Sequence, residues 1–142
     1  MPEKDLNEQL AEAFGWKLEM VGLAGKQYKA WVDQAGKEIT GSILFTEDLN
    51  QAVEWCVKVL ESMEIDKDEY YAINITVREV TFGRLWAEGI HWDFHAPCYK
   101  GTKVFDSIAT AIVEVTLGVF KHYPQEFKAA CDKVFGKENK DA

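Results

Sequence analysis

No apolar run in this 142-residue chain approaches the ~18 residues of a membrane-spanning helix. Nor does any segment carry a phosphate loop, a dinucleotide fingerprint, a zinc-ligand pair or a nucleophile elbow. These absences set aside a spanning helix and the motif-marked enzyme classes, and they leave function to weaker constellations. Cysteine is scarce as well: Cys56, Cys98 and Cys131 are odd in number and far apart, which fits reduced packing thiols and not a disulfide framework. Residues 1–7 (MPEKDLN) are charged and contain nothing like the apolar stretch of a signal peptide, so the expected location is cytoplasmic.

Basic residues are the other shortage. Sixteen Lys and Arg stand against 24 Asp and Glu, a net charge of −8. Residues 47–69 hold eight acids and only two bases, Lys58 and Lys67, whereas the rest of the chain is nearly balanced. Phosphate recognition needs clustered Lys and Arg, so direct nucleic-acid binding is not expected. A basic protein partner is electrostatically allowed, with Glu47, Asp48, Glu54, Glu61 and Glu64 as its candidate contacts. The competing reading treats Glu47, Gln51, Glu54, Lys58 and Glu61 as the ordinary solvated face of a helix.

What is present is enough for a core: 47% of residues are hydrophobic and 13% aromatic. The expectation is one soluble α+β domain over residues 1–136, followed by a frayed polar tail at 137–142. Leu6, Leu10, Ala13 and Phe14 recur at helical spacing and Gly15 follows as a C-cap glycine. Residues 28–33 (YKAWVD) are β-prone and run into a turn-like Gln34-Ala35-Gly36-Lys37 before residues 39–45, which predicts a hairpin there. Thr46 offers an N-cap to a helix over 46–63 with an apolar stripe of Leu49, Val53, Cys56, Leu60 and Met63.

Tyr71, Ile73, Ile75 and Val77 alternate with polar or small residues, the period of a strand with one face on a core, so Ile73 and Ile75 are both expected inside. Gly83 is read as the turn into residues 85–95, which should pair antiparallel with that strand. A second long helix over 106–122, capped by Asp106 or Ser107, puts Ile108, Ile112, Val115 and Val119 on one face, with Ala111 allowing close approach to the sheet. Pro124 begins and Gly136 ends a last helix. The predicted architecture is an antiparallel sheet of about four strands with helices on both faces.

Three segments in this order, 6–16 (LNEQLAEAFGW), 45–60 (FTEDLNQAVEWCVKVL) and 106–119 (DSIATAIVEVTLGV), resemble the phage ABA sandwich domain family. The resemblance covers roughly residues 6–120 and departs from the family pattern in the bulky 115–120 stretch and in the addition from Pro124 onward. It implies a small phage or prophage protein with an antiparallel sheet between helices, and it carries over no catalytic residues. The expected role is therefore an accessory protein acting by binding, as an inhibitor of a host factor. Oligomeric state is left open, and no cofactor or metal is assigned.

The competing class centres on residues 91–98. Along a regular strand His91, Asp93 and His95 share a face, and Cys98 follows. These are acceptable transition-metal ligands, although i and i+4 lie ~13 Å apart, too far for one ion unless a bulge intervenes. Trp86, Trp92, Phe94 and Tyr99 could line a pocket for a nucleotide-like ring, while aromatics on strands are more often core. The pocket candidates are thus Trp86, His91, Asp93, His95, Cys98 and Tyr99.

Overall fold

The first helix begins where a carboxylate can satisfy its free amides. In the computed structural model, which describes residues 5–22, 25–39, 45–46, 48–63, 70–86, 89–98 and 104–136, Asp5 accepts the Glu8 amide at 2.9 Å and starts α1 (Leu6–Ala13). Gly15, at φ +86°, ends it: its amide reaches Glu12 O, and the Trp16 amide reaches Ala11 O. That pair of bonds is the Schellman arrangement that the Phe14-Gly15 sequence predicts. The backbone alone is described at residues 70, 84–86, 89–93 and 104–107, and the tail 137–142 lies outside the described residues.

The fold is α+β, with its strands divided between two antiparallel sheets. β1 (Lys17–Val21) pairs with β2 (Tyr28–Val32), in the register Leu18 to Trp31 and Met20 to Lys29. The sequence reading finds β2 but not β1, because Lys17–Val21 holds a single β-branched residue, Val21, and no aromatic. The turn after β2 forms as expected and returns Glu38 beside Val32; residues 40–44 lie outside the described residues.

The second sheet has the order β3 (Tyr70–Ile75), β4 (Glu79–Trp86), β5 (Gly89–Pro97). Gly83 is therefore not a turn. The chain reverses earlier, at Thr76, whose hydroxyl donates to Glu79 O and accepts the Arg78 and Glu79 amides within 3.2 Å. Gly83 sits inside β4, where the register with β5 slips, a usual place for glycine in a strand.

The helix after Asp48 departs from the simple stripe. Asp48, not Thr46, supplies the cap, accepting the Asn50 and Gln51 amides at 3.0 and 3.3 Å. Thr46 instead joins neighbours: it bonds twice with the Asn7 side chain, and its carbonyl accepts the Thr110 hydroxyl at 3.2 Å. Between α2 (Leu49–Gln51) and α3 (Lys58–Glu61) the chain makes a π-helical segment, Ala52–Val57. Its wider turn changes the phase, so Ala52 and Cys56 are buried while Val53 is 42% exposed.

α4 (Val104–His122) is central, not amphipathic: from Ile108 to Val119 nearly every residue is buried. It packs across β4 and β5 on one side and against α1, the π segment and α5 (Pro124–Phe135) on others. Gly118 permits the approach to the sheet, since a Cβ there would lie 3.3 Å from Phe94 Cδ1. The side chains of Asp106 and Ser107, the expected caps, are outside the described set.

Cross-strand pairing puts Ile73, Phe82 and Phe94 in one row, and Ile75, Val80 and Ala96 in the next. Ile73 packs against the core, but Ile75 is 39% exposed and Val77 65%: Ile75 ends the edge strand β3, beside the buried Val80 and Ala96 of its row, and Val77 lies in the turn beyond it. This corrects the expectation that Ile75 is a core residue. Ile73→Ala should cost ~2 kcal/mol and Ile75→Ala less than ~1 kcal/mol, as paired urea unfolding curves would show.

Candidate functional site

A concavity of about 450 Å³ lies between the first turn of α1 and the β1–β2 hairpin. Three local features build it. The first turn of α1, started by the Asp5 cap, contributes Asp5, Asn7 and Glu8, with Asn7 tied to Thr46. β2 contributes Tyr28 and the half-buried Trp31. The turn then brings Glu38 back: Asp33 accepts the Ala35 and Lys37 amides at 2.9 Å, Gly36 takes φ +85°, and the Ile39 amide donates to Trp31 O at 2.8 Å.

The groove is lined by aromatic, aliphatic and acidic side chains, drawn from both faces of β2 along its edge. Leu18, Tyr28, Trp31 and Ile39 supply apolar surface, while Asp5, Glu8 and Glu38 carry three negative charges against the single Lys29. Tyr28 donates to Glu38 Oε1 at 2.9 Å, and this bond together with the carboxylate charge holds its phenol pKa above the ordinary value. Leu18 is 52%, Met20 55% and Tyr28 51% exposed, so three of the large exposed apolar side chains belong to one hairpin. An electron-rich ring beside carboxylates suits a Lys or Arg side chain whose stem rests on apolar surface.

The sequence-predicted residues are distributed elsewhere. Glu47, Glu64 and Tyr99 lie outside the described residues, and Trp86, His91 and Asp93 are described by backbone only. Asp48 is committed to the helix cap, whereas Glu54 and Glu61 are exposed. His91 pairs with Arg84 and His95 with Thr81, while Trp92 pairs with Gly83 and Phe94 with Phe82. A bulge at Asp93 thus inserts one residue, so by backbone register the two histidines fall on opposite faces and do not share the row expected of a regular strand.

His95 Nδ1 lies 3.1 Å from Glu79 Oε1 over an open cleft of about 340 Å³, lined with Asn74, Thr76 and Thr81. Cys98 is buried behind the same turn, its thiol donating to Thr76 O at 3.4 Å. Burial, and then the Glu79 carboxylate, push its pKa up. Cys56 and Cys131 are pushed up to about 12, chiefly by burial. The described thiols are therefore protonated packing groups at neutral pH and not nucleophiles. Among the described residues no three His, Cys, Asp or Glu side chains converge as a metal site, and no helix is long and apolar enough to cross a membrane.

No family model, curated protein or solved structure matches the chain. Function is accordingly argued from the site itself. Asp5, Glu8, Tyr28, Trp31 and Glu38 were not singled out by the sequence reading. The available signal was two aromatic residues, Tyr28 and Trp31, on one β-prone segment, but only the fold shows that α1 and the turn meet beside it.

Proposed function

We propose that this protein acts by binding, as a phage-type accessory protein that docks a basic segment of a protein partner in the groove between α1 and the β1–β2 hairpin. The observation that carries the proposal is the combination of Tyr28 and Trp31 with the Asp5, Glu8 and Glu38 carboxylates in one cavity. The three-segment resemblance to the phage ABA sandwich family supports the accessory role, and the overall charge of −8 favours a basic partner. Inhibition of a host factor would follow if the docked segment is one that the host protein needs free.

The test uses a short acetylated, amidated peptide alternating Arg and Leu, titrated calorimetrically. The double variant Glu8→Lys/Glu38→Lys should bind it at least ~10-fold more weakly at low salt, with a modest fall in melting temperature from the lost Tyr28–Glu38 hydrogen bond and the lost first-turn acid of α1. Glu54→Lys/Glu61→Lys should bind like the parent. The reverse pattern would move the docking face to the α2–α3 helix. A second reading, a small polar ligand in the cleft of Glu79 and His95, is favoured by their 3.1 Å pairing and would appear as peptide-independent binding lost in His95→Ala.

A further inference from the structure

The β1–β2 hairpin carries a second feature, on the outer edge of β1, which shares Leu18 with the groove. The Trp31 carbonyl accepts the Ile39 amide, so Trp31 turns its main-chain groups away from β1. In an antiparallel ladder a residue and its partner share this property. Leu18, opposite Trp31, and Met20, opposite Lys29, therefore present their N–H and C=O groups on the outer edge of β1. No described residue pairs with that edge. The side chains of the same two residues are more than half exposed.

A two-stranded ribbon is marginal in water, and an edge with free main-chain groups and apolar side chains is a template for another strand. We propose that the strand added is β1 of a second copy of this chain, antiparallel about a two-fold axis at Glu19. In that register Leu18 lies across from Met20 of the partner subunit, and Met20 across from Leu18 of the partner subunit. Four main-chain hydrogen bonds form, and the exposed apolar side chains cover one another. A register centred on Leu18 would set Met20 against Trp16, whose amide is already committed to Ala11 O.

Charge also selects this edge. A molecule of charge −8 repels its copy over most of its surface, but in β1 the charges of Lys17 and Glu19 cancel. About the axis the two Glu19 carboxylates face each other, flanked by the two Lys17 side chains. The dimer should therefore tighten when Glu19 is neutralised.

Sedimentation velocity on the full chain tests this. The parent should show a reversible, concentration-dependent species of twice 16.2 kDa, Glu19→Gln should shift it to lower concentration, and Leu18→Lys/Met20→Lys should be monomeric while keeping its circular dichroism spectrum. Glu19→Cys should form a disulfide-linked dimer under mild oxidation, because facing residues of a non-hydrogen-bonded pair bring their Cβ atoms within bridging range. A parent that stays monomeric to ~1 mM, a dimer that survives the double Lys variant, or a Glu19→Cys chain that cross-links no faster than Glu54→Cys would each overturn the proposal. Leu18 also lines the groove, so the two proposals are separated by the Glu19 variants, which lie outside that lining and should leave peptide binding unchanged.

Discussion

Phe14→Ala should destabilise the fold by ~3–5 kcal/mol, the largest loss expected of any single truncation in this chain. Phe14 is fully buried, and its ring lies between 5.2 and 6.1 Å, centroid to centroid, from those of Trp16, Phe45, Phe127 and Phe135. These rings come from the end of α1, the segment before Asp48 and the two ends of α5, so one side chain bridges pieces remote in sequence. Removing it forfeits burial and leaves a void between Phe127 on one side and the packed Trp16, Phe45 and Phe135 rings on the other. The melting temperature should fall by roughly 10 °C or more. A loss below ~1 kcal/mol in urea unfolding would mean that the aromatic cluster does not hold α1 to α5.

The second large effect is alkaline. The Cys56 thiol is raised to about 12 by burial, and Cys131 likewise, with the Asp132 carboxylate adding to the rise. In the unfolded chain both ionise near the ordinary ~8.5. Below that value both states keep their protons and stability is independent of these groups. Between about pH 9 and 12 the unfolded chain gives up protons that the native chain retains, so stability falls as pH rises, by up to ~1.4 kcal/mol per unit for each thiol. Unfolding free energy measured against pH should show this fall, and Cys56→Ala/Cys131→Ala should flatten it. Native thiols should also resist an aromatic disulfide reagent at pH 8 until urea is added. Rapid modification of all three in the folded protein would contradict the burial.

Local signals were legible where a residue type meets a single backbone demand. Gly15 at a positive φ, Pro124 at the first helical position and Gly136 at a helix end are of this kind. The amphipathic stripes located the long helices but not their depth: α4 reads as one-sided, yet it is enclosed because α1, the π segment and α5 cover the side that the sheet leaves free. Choices between equivalent residues were not legible. Thr46 and Asp48 are both cap types; the helix begins at Leu49, next to Asp48, and the Thr46 hydroxyl accepts from the Asn7 side chain instead.

The π segment and the bulge at Asp93 share a further difficulty. Each inserts one residue into a regular period and so shifts what periodicity assigns with ease: Val53 is exposed, and the backbone register of His91 is out of step with that of His95. The groove was missed for a different reason. It is assembled from three segments that are each unremarkable alone, and its acids, Asp5, Glu8 and Glu38, are spread along the chain, whereas the conspicuous acidic run at 47–69 drew the sequence reading elsewhere.

The central claim is that a basic segment docks between α1 and the hairpin, and chemical-shift mapping of the isotope-labelled protein with the Arg-Leu peptide tests it most directly. The groove reading predicts saturable shifts at the Trp31 indole, at the Tyr28 and Ile39 amides and at Glu8, with little change at Glu54, Glu61 or His95. Shifts centred on Glu54 and Glu61, or on the cleft of Glu79 and His95, with the Trp31 indole unmoved, would contradict it.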